Sequence, residues 1–341
     1  MKVNIKLGDR MVGDGEPTLV IAEIGSNHNQ KLSQAKQLID AAAKAGVDAV
    51  KFQLFKAEVL YPNRDTYYDI MKANELPREW VTELATYAKQ HNLLFMASPF
   101  DYEAIDILDE LETPALKLAS SEAVNWPLVQ YAASKKRPLI VSTGMCDLAD
   151  VSQLVELVRN TANNEDVILL QCTALYPPEP RQVNLRAMET MRNAFHLLIG
   201  FSDHTPGITI SVAAVARGAC IIEKHLTLNR GMEGPDHAYA LEPDEMGTLV
   251  KSIRTVEASL GSPVKDMLTS ERSVARRESV TATIDIPKST KITRDMLVCS
   301  RPAIGIKPKF VEAVIGSSSN QDINAGQALT WDMLNVRSRG D

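Results

Sequence analysis

The chain has 341 residues, 45% of them hydrophobic and 23% charged, and its 37 Lys+Arg against 43 Asp+Glu give a net charge of −6. That length suits about two domains with a large buried core, and the composition is ordinary for a folded globular protein. The mild acidity argues against a nucleic-acid binder, and no apolar run approaches the ~20 residues that span a bilayer.

The N-terminal stretch MKVNIKLGDRMVGDG has no apolar core like that of a secretory signal. The four cysteines, Cys146, Cys172, Cys220 and Cys299, are scattered and form no CxxC pair, which suits free thiols in a reducing compartment. The expected location is therefore the cytoplasm, with no membrane partner.

From Thr18 to Ser262 short apolar, β-rich runs alternate with amphipathic helical patterns. The predicted strands are Thr18–Glu23, Val47–Gln53, Leu93–Ser98, Ala115–Ala119, Pro138–Ser142, Val167–Cys172, Leu197–Ser202 and Cys220–His225. Leu32, Ala35, Leu38, Ile39 and Ala42 repeat at helical spacing before a C-capping Gly46, and a last helix is expected over Asp244–Leu260. Strands apolar on both faces, each followed by a helix, imply a parallel sheet covered by helices. Eight such units favour an α/β fold closed as a (β/α)8 TIM barrel, and no GxGxxG follows the first strand to favour a dinucleotide fold.

Beyond Gly261-Ser262-Pro263 the pattern changes. We expect the barrel over 1–262, a linker over 263–278 and a small β-rich domain over 279–341. The small domain contains an echo at an offset of 37 residues: Ile284-Asp285-Ile286 with Thr293-Arg294-Asp295-Met296-Leu297 resembles Asp322-Ile323 with Thr330-Trp331-Asp332-Met333-Leu334.

A (β/α)8 barrel keeps its chemistry at the C-terminal ends of the strands, and every predicted strand carries a polar group there. They are Glu23 with Asn27 and His28, Lys51 and Gln53, Ser98, Lys117 with Ser120 and Glu122, Ser142, Gln171 and Tyr176, Ser202 with Asp203 and His204, and Glu223 with His225. A lone strand-end histidine is commonly a core hydrogen-bonding residue. His204 and His225 end consecutive strands and are candidates for a divalent ion, Mn²⁺ or Mg²⁺, with open water positions. Lys51 and Lys117 sit in apolar strands where an unpaired ammonium is costly. Either they pair with Glu23 or Glu122, or they await an anion with hydroxyl help from Ser98, Ser142 and Ser202. Glu23 and Glu122 are candidates for general acid or base, or for holding sugar hydroxyls; Asp236 and Tyr176 fit either a turn or a ligand contact.

The runs IAEIGSNHN (21–29), VKFQ (50–53), SPF (98–100), LKLASSE (116–122), VSTGM (141–145), LLQCTALYP (169–177), GFSDHTPG (200–207), EKHLTL (223–228) and GPDH with LEP (234–243) resemble the sialic acid synthase family in order. The segments IPKSTKITRDML and SRPAIGI resemble the antifreeze-like (SAF) domain of those synthases. The resemblance implies that His204 and His225 bind the metal. It places phosphoenolpyruvate (PEP) on Lys51, Lys117, Ser98, Ser120, Ser142 and Ser202, and an acylamino sugar on Glu23, Gln53, Tyr176 and Asp236. Glu122 falls near the reacting centre, and Arg301 reaches the sugar from the other subunit of a domain-swapped homodimer.

Two positions depart from the family pattern. Ala174 stands where some members have Asn, and Ala303 replaces the glycine of the usual Arg-Pro-Gly, which bears on fine substrate recognition.

The implied activity is N-acetylneuraminate synthesis from PEP and N-acetylmannosamine, with phosphate released by C–O cleavage. A 2,4-diacetamido-hexose leading to legionaminic acid is the alternative sugar; the pseudaminic branch is disfavoured by the GPDH form at 234–237. Rival readings are a synthase for Kdo-8-phosphate or DAHP, a metal-dependent hydrolase, and a non-catalytic SAF-domain protein of surface polysaccharide assembly.

Overall fold

The computed structural model describes residues 4–162, 166–274 and 276–335. They fall into two compact units, divided between Gly261 and Ser262. Among the described residues no helix is long and apolar enough to cross a membrane.

The first unit opens with an antiparallel hairpin, Asn4–Leu7 against Arg10–Gly13, that the sequence reading did not anticipate. Eight parallel strands follow: β1 (Leu19–Gly25), β2 (Ala49–Leu54), β3 (Leu94–Pro99), β4 (Leu116–Leu118), β5 (Leu139–Ser142), β6 (Val167–Cys172), β7 (Leu198–Asp203) and β8 (Ile221–His225). Each leads to a covering helix: α1 (Leu32–Ala45), α2 (Val81–Gln90), α3 (Tyr102–Glu110), α4 (Trp126–Ser134), α5 (Leu148–Ala162), α6 (Ala187–Phe195), α7 (Thr209–Ala216) and α8 (Pro243–Leu260). The sheet runs in the order β3-β2-β1-β8-β7-β6-β5-β4, and β3 packs beside β4 to close the ring. The fold is the expected TIM barrel.

Local sequence explains the element ends. Gly46 terminates α1 in the left-handed region, φ 80°, where its backbone N–H reaches the last helical carbonyls. Pro243 begins α8 behind a capping box, in which the Glu245 carboxylate accepts from the Glu242 N–H at 2.9 Å.

The strands divide their residues between two cores with a period of two. Val20, Ala22, Val50, Phe52, Leu139, Val141, Ile199 and Phe201 face outward into the packed helices. Leu19, Ile21, Ala49, Met96, Ala115, Ile140, Ile168, Leu198 and Ile221 face the barrel axis, and Ile5, Leu7 and Val12 of the hairpin join them as a plug. Two positions further along six of the strands that inward face turns polar, at Glu23, Lys51, Ser98, Lys117, Ser142 and Glu223; on β7 it does so four positions on, at Ser202, and on β6 Leu170 keeps it apolar up to Cys172. That switch creates the site.

The second unit has its own core of Val280, Ala282, Ile286, Ile292, Ile306, Val314, Ile323 and Leu329. Its two halves repeat: the 3-10 turns Arg294–Met296 and Trp331–Met333 each lead directly into a strand. Ile286 and Ile323, equivalent positions of the repeat, pair with each other in an antiparallel bridge. The stretch predicted as a linker includes a short helix, Thr269–Val274.

Candidate active site at the C-terminal mouth of the barrel

Glu23, Lys51, Gln53, Ser98, Lys117, Ser120, Ser142, Tyr176, Ser202, His204, His225 and Asp236 all line one cavity of about 320 Å³, together with Cys172, Glu223, Ala119 and Pro235. Twelve of the fourteen residues to which the resemblance gives a site role therefore converge, although they come from eight strands and their loops. Glu122 is buried just after β4 and accepts from Asn125 Nδ2 at 3.0 Å, behind the cavity lining. Arg301 is exposed on the second unit.

The floor of the cavity is a buried charge lattice. Lys51 Nζ lies 2.6 Å from Glu23 Oε2 and 2.9 Å from Ser98 Oγ. Lys117 Nζ donates to Ser142 Oγ at 2.7 Å and to the Leu118 carbonyl at 3.0 Å. Both ammonium groups stand 3.6 Å from Glu223 Oε1, which also accepts from Ser202 Oγ at 3.2 Å. The anionic partner of Lys117 is thus Glu223, not Glu122. Sequence reasoning placed Glu223 at a strand end and gave it no role. The available signal was its spacing: two residues before His225, it had to share the inward face with it.

These neighbours set the ionisation of the site. Burial raises the Glu23 carboxyl, and Lys51 only partly offsets this. Burial acts the same way on Glu223, but Lys117 and Lys51, followed by the two imidazoles, outweigh it and keep Glu223 low and ionised. Burial lowers Lys117 against the pull of Glu223, whereas Lys51, with two close carboxylates, is raised. The lattice holds two cations against two carboxylates, so a polyanion entering it needs further positive charge nearby.

That charge has a natural place. The His204 and His225 rings lie 5.4 Å apart, and Tyr239 packs against both. Burial, and then the proximity of His225, push His204 down to about 4, and burial lowers His225 too, so both imidazoles are neutral as metal ligation requires. His204 Nδ1 sits 3.2 Å from the Thr173 carbonyl. His225 Nδ1 and Glu223 Oε2 are buried with no hydrogen-bond partner. Orphaned buried acceptors beside neutral imidazoles fit a divalent cation. No three His, Cys, Asp or Glu side chains among the described residues form a closed cage, so water and ligand oxygens would complete the coordination.

Beside the imidazoles, Gln53 Nε2 donates to Glu23 Oε1 at 3.1 Å. Asp236 Oδ2 accepts from the Ser26 N–H at 3.1 Å and Oδ1 from the Tyr239 hydroxyl at 2.7 Å. Burial would raise Asp236, but His225, the Tyr239 hydroxyl and the Ser26 N–H hold it below its usual value. Glu23, Gln53, Asp236 and the half-uncovered ring of Tyr176 thus form a polar rim suited to a polyhydroxylated ligand next to the cationic floor.

Comparison with known proteins agrees with this geometry. Residues 38–265 match the NeuB family and residues 277–335 the SAF domain. The chain is 40% identical to N,N'-diacetyllegionaminic acid synthase of Legionella pneumophila, covering 94% of this chain and 96% of that protein. It is 37% identical to human N-acetylneuraminate-9-phosphate synthase over 84% of each. The crystal structure of N-acetylneuraminic acid synthetase from Leptospira borgpetersenii, in complex with citrate, superposes with a TM-score of 0.76 at 32% identity, covering 80% of this chain and 94% of that one.

Proposed function

The chain belongs to the NeuB family, and on that premise we propose that it joins PEP to the open-chain aldehyde of an acylamino hexose, releasing phosphate and forming a nonulosonic acid. The observation that carries the reading is the convergence of Lys51 and Lys117 on one carboxylate, Glu223, beside two neutral imidazoles and a polar rim.

Lys51 and Lys117, held in place by Ser98 and Ser142, bind the phosphate and carboxylate of PEP. Ser120 and Ser202 supply further hydroxyls to the same cavity. His204 and His225 hold the divalent ion, Mn²⁺ or Mg²⁺, which when bound supplies a Lewis acid for the aldehyde oxygen. Glu23, Gln53, Tyr176 and Asp236 orient the sugar so that its C1 faces C3 of PEP. Attack by C3 leaves a cationic centre at C2, to which water adds. Collapse of that adduct breaks the C2–O bond and expels phosphate. The orienting of that water falls, by the family resemblance, to Glu122, which ends the turn Ser120–Glu122 after β4 and stands outside the cavity lining. Arg301 closes over the sugar from a second chain in a domain-swapped homodimer, a role that its exposure on the SAF unit allows.

The cavity lining offers two ammonium groups, both already engaged by Glu23 and Glu223, and no arginine. This favours a sugar without a phosphate of its own. N-acetylmannosamine, leading to N-acetylneuraminate, stands against a 2,4-diacetamido-hexose, leading to N,N'-diacetyllegionaminate. The higher identity and wider coverage of the Legionella relative favour the second.

One assay tests the whole reading: protein with Mn²⁺ and PEP against a panel of 2-acetamido and 2,4-diacetamido sugars, followed by phosphate release. Turnover should require the sugar and stop on chelation. Absence of sugar-dependent phosphate release across the panel would sink the proposal.

A further inference from the structure

The loop between β8 and α8, residues 226–242, is largely exposed at its tip, yet His237 within it is only 1% exposed. The base of the loop is pinched shut by a bridge between Leu226 and Leu241, where the Thr227 N–H donates to the Leu241 carbonyl at 2.9 Å. Inside that base the imidazole is held at both nitrogens. Nδ1 lies 2.6 Å from Thr227 Oγ1 and Nε2 lies 3.0 Å from Asn29 Oδ1.

Asn29 donates its own amide to the Glu233 carbonyl at 3.2 Å, which leaves Oδ1 as an acceptor. Nε2 therefore carries the hydrogen, and Nδ1 accepts from the Thr227 hydroxyl, for which the Asn229 carbonyl at 3.1 Å is the competing, more distant acceptor. Burial lowers the pKa of the ring and keeps it neutral, as that tautomer requires. The neighbouring backbone is shaped around the ring. Gly234 has φ 151°, and a Cβ there would come within 2.8 Å of His237 Cδ2. The ring thus ties the loop after β8 to the loop after β1, and the residue before it is Asp236, whose carboxylate reaches Ser26 of that same β1 loop.

We propose that His237 is a positioning residue that pins this loop to Thr227 and Asn29 and so presents Asp236 to the sugar. The proposal rests on the synthase reading for the identity of the ligand. His237 is absent from the cavity lining and so acts through Asp236. Its influence should fall on the sugar and spare PEP, whose proposed ligands stand on other strands.

The test compares His237→Ala, His237→Gln and Thr227→Val with the parent protein in the Mn²⁺-loaded phosphate-release assay. PEP binding is measured by calorimetry and loop amides by hydrogen exchange. Loss of two buried hydrogen bonds predicts a sugar KM about tenfold higher in His237→Ala, with kcat less affected. PEP affinity should be unchanged, and amides of 226–242 should exchange faster while strand amides do not. His237→Gln, which keeps a donor for Asn29, should recover part of the loss, and Thr227→Val should shift KM the same way by less. An unchanged sugar KM with unchanged loop exchange overturns the proposal, as does an equal loss of PEP affinity. If the parent protein turns over no sugar in the panel, the synthase reading fails, and loop exchange still decides whether His237 is the pin.

Discussion

Asp203 and Lys224 form a wholly buried ion pair, Oδ2 to Nζ 2.9 Å, on the outer face of the barrel wall, where β7 runs out into His204 and β8 ends in His225. The two residues are cross-strand partners in the β7–β8 ladder. Ser211 of α7 donates to Asp203 Oδ2 at 2.6 Å, the Thr205 N–H and hydroxyl donate to Oδ1, and Lys224 donates to the Thr205 carbonyl. A buried pair with every lone pair engaged is costly to break from one side. Lys224→Met should lower unfolding free energy by about 3–5 kcal/mol, because it strands the Asp203 carboxylate. Adding Asp203→Leu should recover much of that loss. Urea denaturation measures both, and a single variant as stable as the parent contradicts the account.

Gly25 tests the packing of the sugar rim. It lies at the bulge ending β1 with φ 50°, and a Cβ there would stand 2.7 Å from Asp236 Oδ2 and 3.3 Å from His225 Cε1. Gly25→Ala combines about 1 kcal/mol of left-handed strain with a displaced Asp236. Steady-state kinetics should show a raised sugar KM and a PEP KM close to that of the parent. Equal rises in both would place the damage elsewhere.

Much of this site was legible because barrel geometry turns sequence order into spatial convergence. Knowing that strand ends share one mouth was enough to gather Lys51, Lys117, His204 and His225 before any coordinates. What stayed hidden depends on which face a side chain takes. Period two says that Glu223 and His225 share a face and that Lys224 takes the other, but nothing local says which face is inward until Ile221 is seen in the plug. Asp203 was therefore grouped with the strand-end polar residues, Lys224 drew no reading, and Glu223 stood at a strand end without a role. The N-terminal hairpin escaped for a different reason: strands of four residues are too short for periodicity to register. The role of His237 was invisible because its partners, Asn29 and Thr227, come from the loop after β1 and from the far end of its own loop.

The cationic floor should separate binding from positioning. Ser142→Ala removes one hydrogen bond that fixes Lys117 and should raise the KM for PEP about threefold to tenfold. Lys117→Met removes the cation itself, leaves Glu223 with Lys51 as its one ammonium partner, and should cut kcat/KM by about a hundredfold or more. Both effects are read with the sugar saturating. A Lys117→Met protein that binds PEP as tightly as the parent in calorimetry would remove Lys117 from the anion site.

His28 gives a pH signature in the folding equilibrium. Its ring is 1% exposed, Nδ1 accepts from the Gln30 N–H at 3.0 Å, and Nε2 is buried without a partner. Burial pushes its pKa down to about 4, against the opposing pull of Asp236. The unfolded chain, with an ordinary imidazole near 6.5, takes up the proton first. Between pH 6.5 and 4 the unfolded state therefore holds more protons, and stability falls as pH falls across that window. The whole contribution is on the order of 3 kcal/mol; it is fully present above pH 6.5 and gone below about 4. In His28→Asn the side chain retains an acceptor for Gln30 and does not titrate. Its stability relative to the parent should improve steadily from pH 7 to pH 4 in urea unfolding, and a difference that stays constant with pH would show that His28 is not held neutral in the fold.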